Sequence, residues 1–267
     1  MVHGYSFEYE FLNTLGNQEL LISENQDPYV RTHPLTSDRV ETIANHLKQP
    51  GVGMNGASPE MRAMFERMQA KLIGYFDPPQ LSLRRYPPTD VSVAGRYARA
   101  FAYAKAADVA KAVAEVEGLL STQPDDPFFL ELKSQILFES GNVKDAISPM
   151  RRAVGVRPNE TLFLQELGRM LIEFQDPAAL DEAIQNLERA IAQDRDSATA
   201  WRYLGIAYGR KEDIGRSSLA LGEYALLIGE HSQARFHSGR ALKLFSRGSR
   251  EWLHAEDIQN AAKKKEK

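Results

Sequence analysis

Apolar residues recur at intervals of three and four along most of the chain, the spacing of one face of an α-helix. Residues 5–21 set Phe7, Tyr9, Phe11, Leu12 and Leu15 among acidic positions and predict a first helix, ending near a loop that contains NQDP. A second helix is predicted over 37–48. Thr36 can cap it, Asp38 lies in its first turn against the positive helix end, and Leu35 and Val40 can close a hydrophobic staple. The Gly-rich stretch KQPGVGMNGAS at 48–58 breaks the pattern, and Ser58 then caps a third helix with Pro59 at its first position. That helix carries Met61, Met64, Phe65, Met68 and Leu72 on one apolar face. The prolines of FDPPQLSLRRYPP predict an extended linker after it.

From about residue 92 the pattern becomes a repeat. Pro124 and Pro158 stand 34 residues apart, and in that register Ala112 meets Ala146, Tyr103 meets Leu137 and Leu119 meets Ala153. Leu164, Leu167, Gly168 and Leu171 continue it; after a short insertion at QDPAAL, Ala183, Leu187 and Ala190 recover the second-helix pattern. Trp201, Leu204, Gly205 and Tyr208 spell W-x2-LG-x2-Y, which resembles the first-helix signature of tetratricopeptide repeats. Beyond it the register is expected to slip. SSLALGEYALLIGEHSQARFHSGRALKLF repeats the two-helix rhythm about 17 residues after the previous start, so one helix would serve two hairpins. GSREWLHAEDIQNAA reads as a terminal capping helix and KKKEK as a solvated tail. The expected fold is all-α: a tetratricopeptide-type helical solenoid over 92–262, preceded by helices in 1–50 and a linker in 51–91, and followed by a Lys-rich tail at 263–267.

Composition narrows the function. A formal net charge of -3 gives no electrostatic case for nucleic acid or an anionic membrane. With no cysteine there can be neither a disulfide nor a thiolate zinc site. No apolar run approaches the roughly 20 residues of a membrane span, and MVHGYSFEYEFLNTLG has neither the basic nor the apolar region of a signal peptide.

Candidate chemistry is sparse. GVGMNG at 51–56 spells G-x-G-x-x-G, but a helix is predicted before it where a dinucleotide site needs a strand, so it reads as a flexible break. No H-E-x-x-H, G-x-S-x-G or phosphate-binding loop occurs. His231 and His237 are six apart and face different ways on a helix; they, His46 and His254 read as packing or solvated residues. Asp125, Asp126, Asp181 and Glu182 fall at turns and helix starts, where carboxylates cap. A repeat array supplies a binding groove rather than a nucleophile or a metal cage. By phase the groove-facing first-helix positions include Tyr97, Phe101, Glu131, Gln135, Phe138, Gln165, Arg169 and Arg202. Each either lines the groove or packs between repeats. Aromatics interleaved with polar side chains suit an extended peptide or a partner helix, and no cofactor is expected.

The stretch FLNTLGNQELLISENQDPYVRTHPLTSDRV resembles the end of the catalytic domain of BepA-like zinc metallopeptidases of the HtpX class, in which a THPLT-x-R segment precedes a tetratricopeptide array. His33, Pro34 and Arg39 match that motif. The resemblance implies that residues 1–50 are a remnant of a peptidase domain, with His33 close to a metal in an intact enzyme. It also implies a periplasmic setting and a role in envelope protein quality control. The family's H-E-x-x-H helix has no counterpart in this sequence, so zinc is expected only with a catalytic domain and the chain alone is not expected to be an enzyme. Two readings remain. One is the non-catalytic, substrate- or partner-binding region of such a peptidase, and the other is a stand-alone tetratricopeptide adaptor. Under the first, the apolar face of 5–21 would be exposed or covered by oligomerisation.

Overall fold

The computed structural model describes residues 58–264, together with positions 41, 44 and 45. The chain divides into two compact units, residues 1–69 and 70–267. The expected helix over 5–21, the His-Pro loop with His33, Pro34 and Arg39, the glycine motif and most of the helix over 37–48 lie outside the described residues. Every element among the described residues is a helix.

The first, α1 (Pro59–Phe76), starts as the sequence predicts: Pro59 opens it, and the Met61 N–H donates to Ser58 Oγ at 3.2 Å. Its apolar face stays largely open among the described residues. Of the predicted apolar face, Met61, Met64, Met68 and Leu72 are 62, 71, 52 and 47% exposed, and Phe65 is half-buried. The helix buries Ala70 and Gly74 instead. A Cβ on Gly74 would lie 2.7 Å from the Ala98 carbonyl oxygen, so only a residue without a side chain permits this approach of two backbones. The expected extended linker is corrected. Pro79 occupies the first position of a short helix, α2 (Pro79–Arg85), where its missing N–H costs no hydrogen bond.

Ten helices follow in five antiparallel hairpins: α3 (Val93–Lys105) with α4 (Val109–Leu120), α5 (Pro127–Glu139) with α6 (Val143–Val156), α7 (Thr161–Glu173) with α8 (Leu180–Gln193), α9 (Ala198–Arg210) with α10 (Ile214–Leu227), and α11 (His231–Leu244) with α12 (Arg250–Lys264). This is an all-α helical solenoid. Hairpins start 34, 34, 37 and 33 residues apart. The longer step is the predicted insertion: Asp176 caps a 3-10 turn, Pro177–Ala179, ahead of α8. The predicted register slip does not occur. The helix over 214–227 closes the fourth hairpin, and the expected capping helix is the second helix of a fifth. Both α10 and α11 bury small residues, Ala220 and Ala225 in one and Ala234 and Ala241 in the other, so periodicity alone could not separate first helix from second.

Each hairpin is built locally. Three of the five first helices, α3, α5 and α9, begin at side-chain caps: Ser92 Oγ accepts from the Gly95 N–H at 3.0 Å, Asp126 Oδ1 from those of Phe128 and Phe129 at 3.0 and 3.1 Å, and Ser197 Oγ from that of Ala200 at 3.3 Å. The predicted capping role of Asp126 is therefore met; Asp125 pairs with Arg152 at 3.0 Å, and Asp181 and Glu182 lie in the first turn of α8. Every turn inside the first four hairpins places one residue in the left-handed region: Ala107, Gly141, Gln175 and Glu212, at φ between 59° and 85°. Between the helices a continuous apolar core holds Phe129, Leu132, Met150, Leu164 and Leu171. Full burial of one such side chain stabilises by about 1.5–3 kcal/mol.

One polar group sits deep in the first hairpin. Arg99 is 1% exposed. Its Nε and Nη2 donate to Glu115 Oε1 and Oε2 at 2.7 and 2.9 Å, and Nη1 donates to the carbonyls of Pro87 and Asp90 at 2.8 and 2.7 Å. A buried guanidinium is tolerated only when paired and hydrogen-bonded in this way. It ties the proline-rich stretch before α3 to both helices of the hairpin.

Candidate functional site

Side chains of α3, α5 and α7 meet on one face of the array. On α5, Glu131, Gln135 and Glu139 recur every four residues and so share one face. Gln135 Nε2 donates to Glu139 Oε1 at 2.8 Å. Phe138 lies beside them under the guanidinium of Arg169, 4.5 Å from its ring centroid, a cation–π contact that joins α5 to α7. The same guanidinium pairs with Glu166 at 2.7 Å.

At the α3 end of this face lies a cavity of about 410 Å³. Phe101, Ala104, Leu132 and Ile136 give it an apolar lining, Tyr75 of α1 forms a wall, and Gln135, Glu139 and Lys105 supply polar groups. The aromatic wall is held edge to face, with ring centroids 6.3 Å apart between Tyr75 and Phe101. Lys105 is committed elsewhere: its ammonium donates to the carbonyls of Tyr75, Phe76 and Asp77 at 2.9, 3.2 and 3.0 Å, capping the negative end of α1.

Charge on the face is unevenly compensated. Burial, with Glu166 and Glu139 nearby, pushes the Glu131 carboxyl above the usual carboxylate range, against the opposing charge of Lys71. Glu131 makes no hydrogen bond or ion pair among the described residues. Burial also raises Glu166, although Arg169 opposes the shift.

Of the residues expected in the groove, Phe101 and Gln135 line the cavity. Glu131, Phe138 and Arg169 continue the same face. Tyr97 does not: it is 1% exposed, wedged between Phe101 and Phe129 at 5.2 and 5.3 Å. Gln165 is buried at 6%. Arg202 is exposed on α9, 5.9 Å from the ring of its neighbour Tyr203, and lines no part of the cavity. Sequence phase passed over Glu139, Glu166, Lys71 and Tyr75. The first was legible, one turn beyond Gln135. Lys71 and Tyr75 were not, because tertiary packing of α1 brings them there.

A second cavity, of about 370 Å³, lies between α6 and the turn before α8, where Arg151 pairs with Glu182 at 2.6 Å. Among the described residues no group of three or more histidine, aspartate or glutamate side chains could hold a metal ion. None of the described helices is long and apolar enough to cross a membrane.

No curated protein matches the chain. Solved structures do. YrrB, a tetratricopeptide protein with an unusual peptide-binding site, superposes with a TM-score of 0.50 at 18% identity over 74% of this chain and 89% of its own. MamA superposes at 0.47 and 20% over 62% and 94%, and MamA of Desulfovibrio magneticus at 0.47 and 16% over 71% and 96%. These likenesses concern the fold. In sequence, the tetratricopeptide repeat model matches residues 96–242, more than half of the chain, from within α3 to within α11, so the chain belongs to the tetratricopeptide repeat family.

Proposed function

We propose that this chain is a non-catalytic binding module that holds an extended segment of a partner protein against the face of α3, α5 and α7. The cavity beside Phe101 carries this reading. It is apolar at its base, polar at its edge, and of a size that accepts one large side chain with its backbone neighbours. No residue of the face forms a nucleophile–base pair or a metal cage, and the side chains are suited to recognition rather than bond making.

An adaptor role is the reading favoured here. The finer alternative, service to a BepA-like metallopeptidase in the periplasm, rests on residues 27–40 and draws no support from a family match over 96–242. Fractionation of the source cell tests it, since a cytoplasmic product would end that reading.

The binding reading is tested by selecting displayed random peptides on the full chain. Ala104 lines the cavity, so Ala104→Trp should fill it and weaken the selected peptides by about tenfold or more. Ala178→Trp, in the second cavity, should leave them unchanged. Peptides indifferent to Ala104→Trp would refute a binding face at this position.

A further inference from the structure

Resting on that binding reading, we infer that the face selects an extended segment in which a basic side chain flanks a bulky apolar one. The apolar side chain would enter the cavity over Phe101 and Ile136, and the cation would be received by Glu139 and Glu131.

Negative charge on this face is left over. Six charged side chains belong to this face: Lys71, Lys105, Arg169, Glu131, Glu139 and Glu166. Two of the cations are already used, Lys105 by three carbonyls of the α1 terminus and Arg169 by Glu166 and the Phe138 ring. Lys71 stands 5.9 Å from the Phe101 ring centroid, and its charge acts on Glu131 without an ion pair. That leaves Glu131 with no hydrogen-bond or salt-bridge partner among the described residues, and Glu139 with a single amide donor from Gln135. A partly buried carboxylate without a partner is costly, and an incoming ammonium or guanidinium removes that cost. An acidic segment would meet three carboxylates and no free guanidinium, a like-charge penalty that works against the wrong partner.

The spacing fits an extended chain. Glu139 is at the cavity itself, and Glu131 is two helical turns away, roughly 12 Å along α5. An extended peptide covers that distance in about four residues. A basic residue beside the apolar anchor reaches Glu139, and a second about four positions on reaches Glu131.

The test uses the full chain and three fluorescein-labelled peptides of one Gly-Ser backbone. Each carries one leucine and two lysines, two glutamines or two glutamates, one of the pair beside the leucine and the other about four positions on. Fluorescence anisotropy should show the lysine peptide binding about tenfold or more tighter than the glutamate peptide, with the advantage shrinking between about 50 and about 300 mM salt. The near-isosteric Glu131→Gln/Glu139→Gln variant should erase most of that advantage; if the variant does not fold, the three peptides on the natural chain decide alone. Equal binding of all three peptides, still abolished by Ala104→Trp, would overturn this inference and leave the binding face standing. An advantage for the glutamate peptide would do the same. No binding by any peptide at about 1 mM, or binding indifferent to Ala104→Trp, would overturn both.

Discussion

At the scale of single residues, the turns show what each position costs. Ala107, Gln175 and Glu212 carry positive φ at the place where the second hairpin has Gly141. A left-handed conformation costs a residue with a Cβ roughly 1–2 kcal/mol, and glycine loses part of that gain through its freer unfolded chain. Ala107→Gly, Gln175→Gly and Glu212→Gly should therefore each stabilise by about 0.5–1 kcal/mol in urea melts. Gly141→Ala should destabilise by about 1 kcal/mol through backbone conformation alone, since its added Cβ meets nothing within 4 Å. Glu131 makes a pH-dependent prediction. Its folded pKa lies above its unfolded value, so the folded chain holds more protons across the interval between the two. Its contribution to stability is thus present below the ordinary carboxylate value and is lost as pH rises through the raised one. Glu131→Gln should be more stable than the natural chain at pH 7, and the difference should close as pH falls toward about 4. Asp90, lowered by its hydrogen bonds with Ser92, acts in the opposite sense, losing stability as pH falls through its folded value; both chains share it, so it cancels in the comparison.

At the scale of the helical hairpin, the small residue in the W-x2-LG-x2-Y signature has a steric cause. A Cβ on Gly168 would lie 2.6 Å from Leu187 Cγ, and one on Gly205 would lie 2.7 Å from Leu221 Cγ. The branch point of a leucine from the second helix occupies the space, and it cannot swing aside as a flexible chain end could. Gly168→Ala and Gly205→Ala should each cost about 1–3 kcal/mol by overpacking, despite the better helix propensity of alanine. Gly155, on α6, serves as the control: nothing lies within 4 Å of its added Cβ, and Gly155→Ala should stabilise by up to about 1 kcal/mol. A thermal or urea series over the three variants separates packing from propensity. The 3-10 turn Pro177–Ala179 shows how a hairpin absorbs three extra residues: they are placed between the helices, and the packing glycine stays in register with its leucine.

At the scale of the whole array, function depends on helices separated in sequence. The cavity takes its lining from α1, α3 and α5, and the charged face continues onto α7. A substitution there should change binding more than folding, which is why Ala104→Trp and the carboxylate pair Glu131 and Glu139 are the decisive probes. The apolar row Met61, Met64, Met68 and Leu72 belongs to the same scale. Periodicity marks it as one apolar face, and among the described residues it stays open.

What the sequence determined by itself is local and periodic. The caps at Ser58, Asp126 and the 34-residue spacing follow from short-range hydrogen bonding and from a 3.6-residue helical period. So do the signature of Trp201, Leu204, Gly205 and Tyr208 and the helical class as a whole. The groove was half legible, because phase places Glu131, Gln135 and Phe138 on one face of one helix. What tertiary structure alone decided is which of several outward-facing residues remain accessible. Tyr97 and Gln165 share the phase of groove residues yet are covered by their neighbours, while Tyr75 and Lys71 enter the site from α1, which tertiary packing alone brings beside α3. Periodicity assigns a residue to a side of its own helix; only the neighbouring helices determine whether that side meets solvent, a partner or the core.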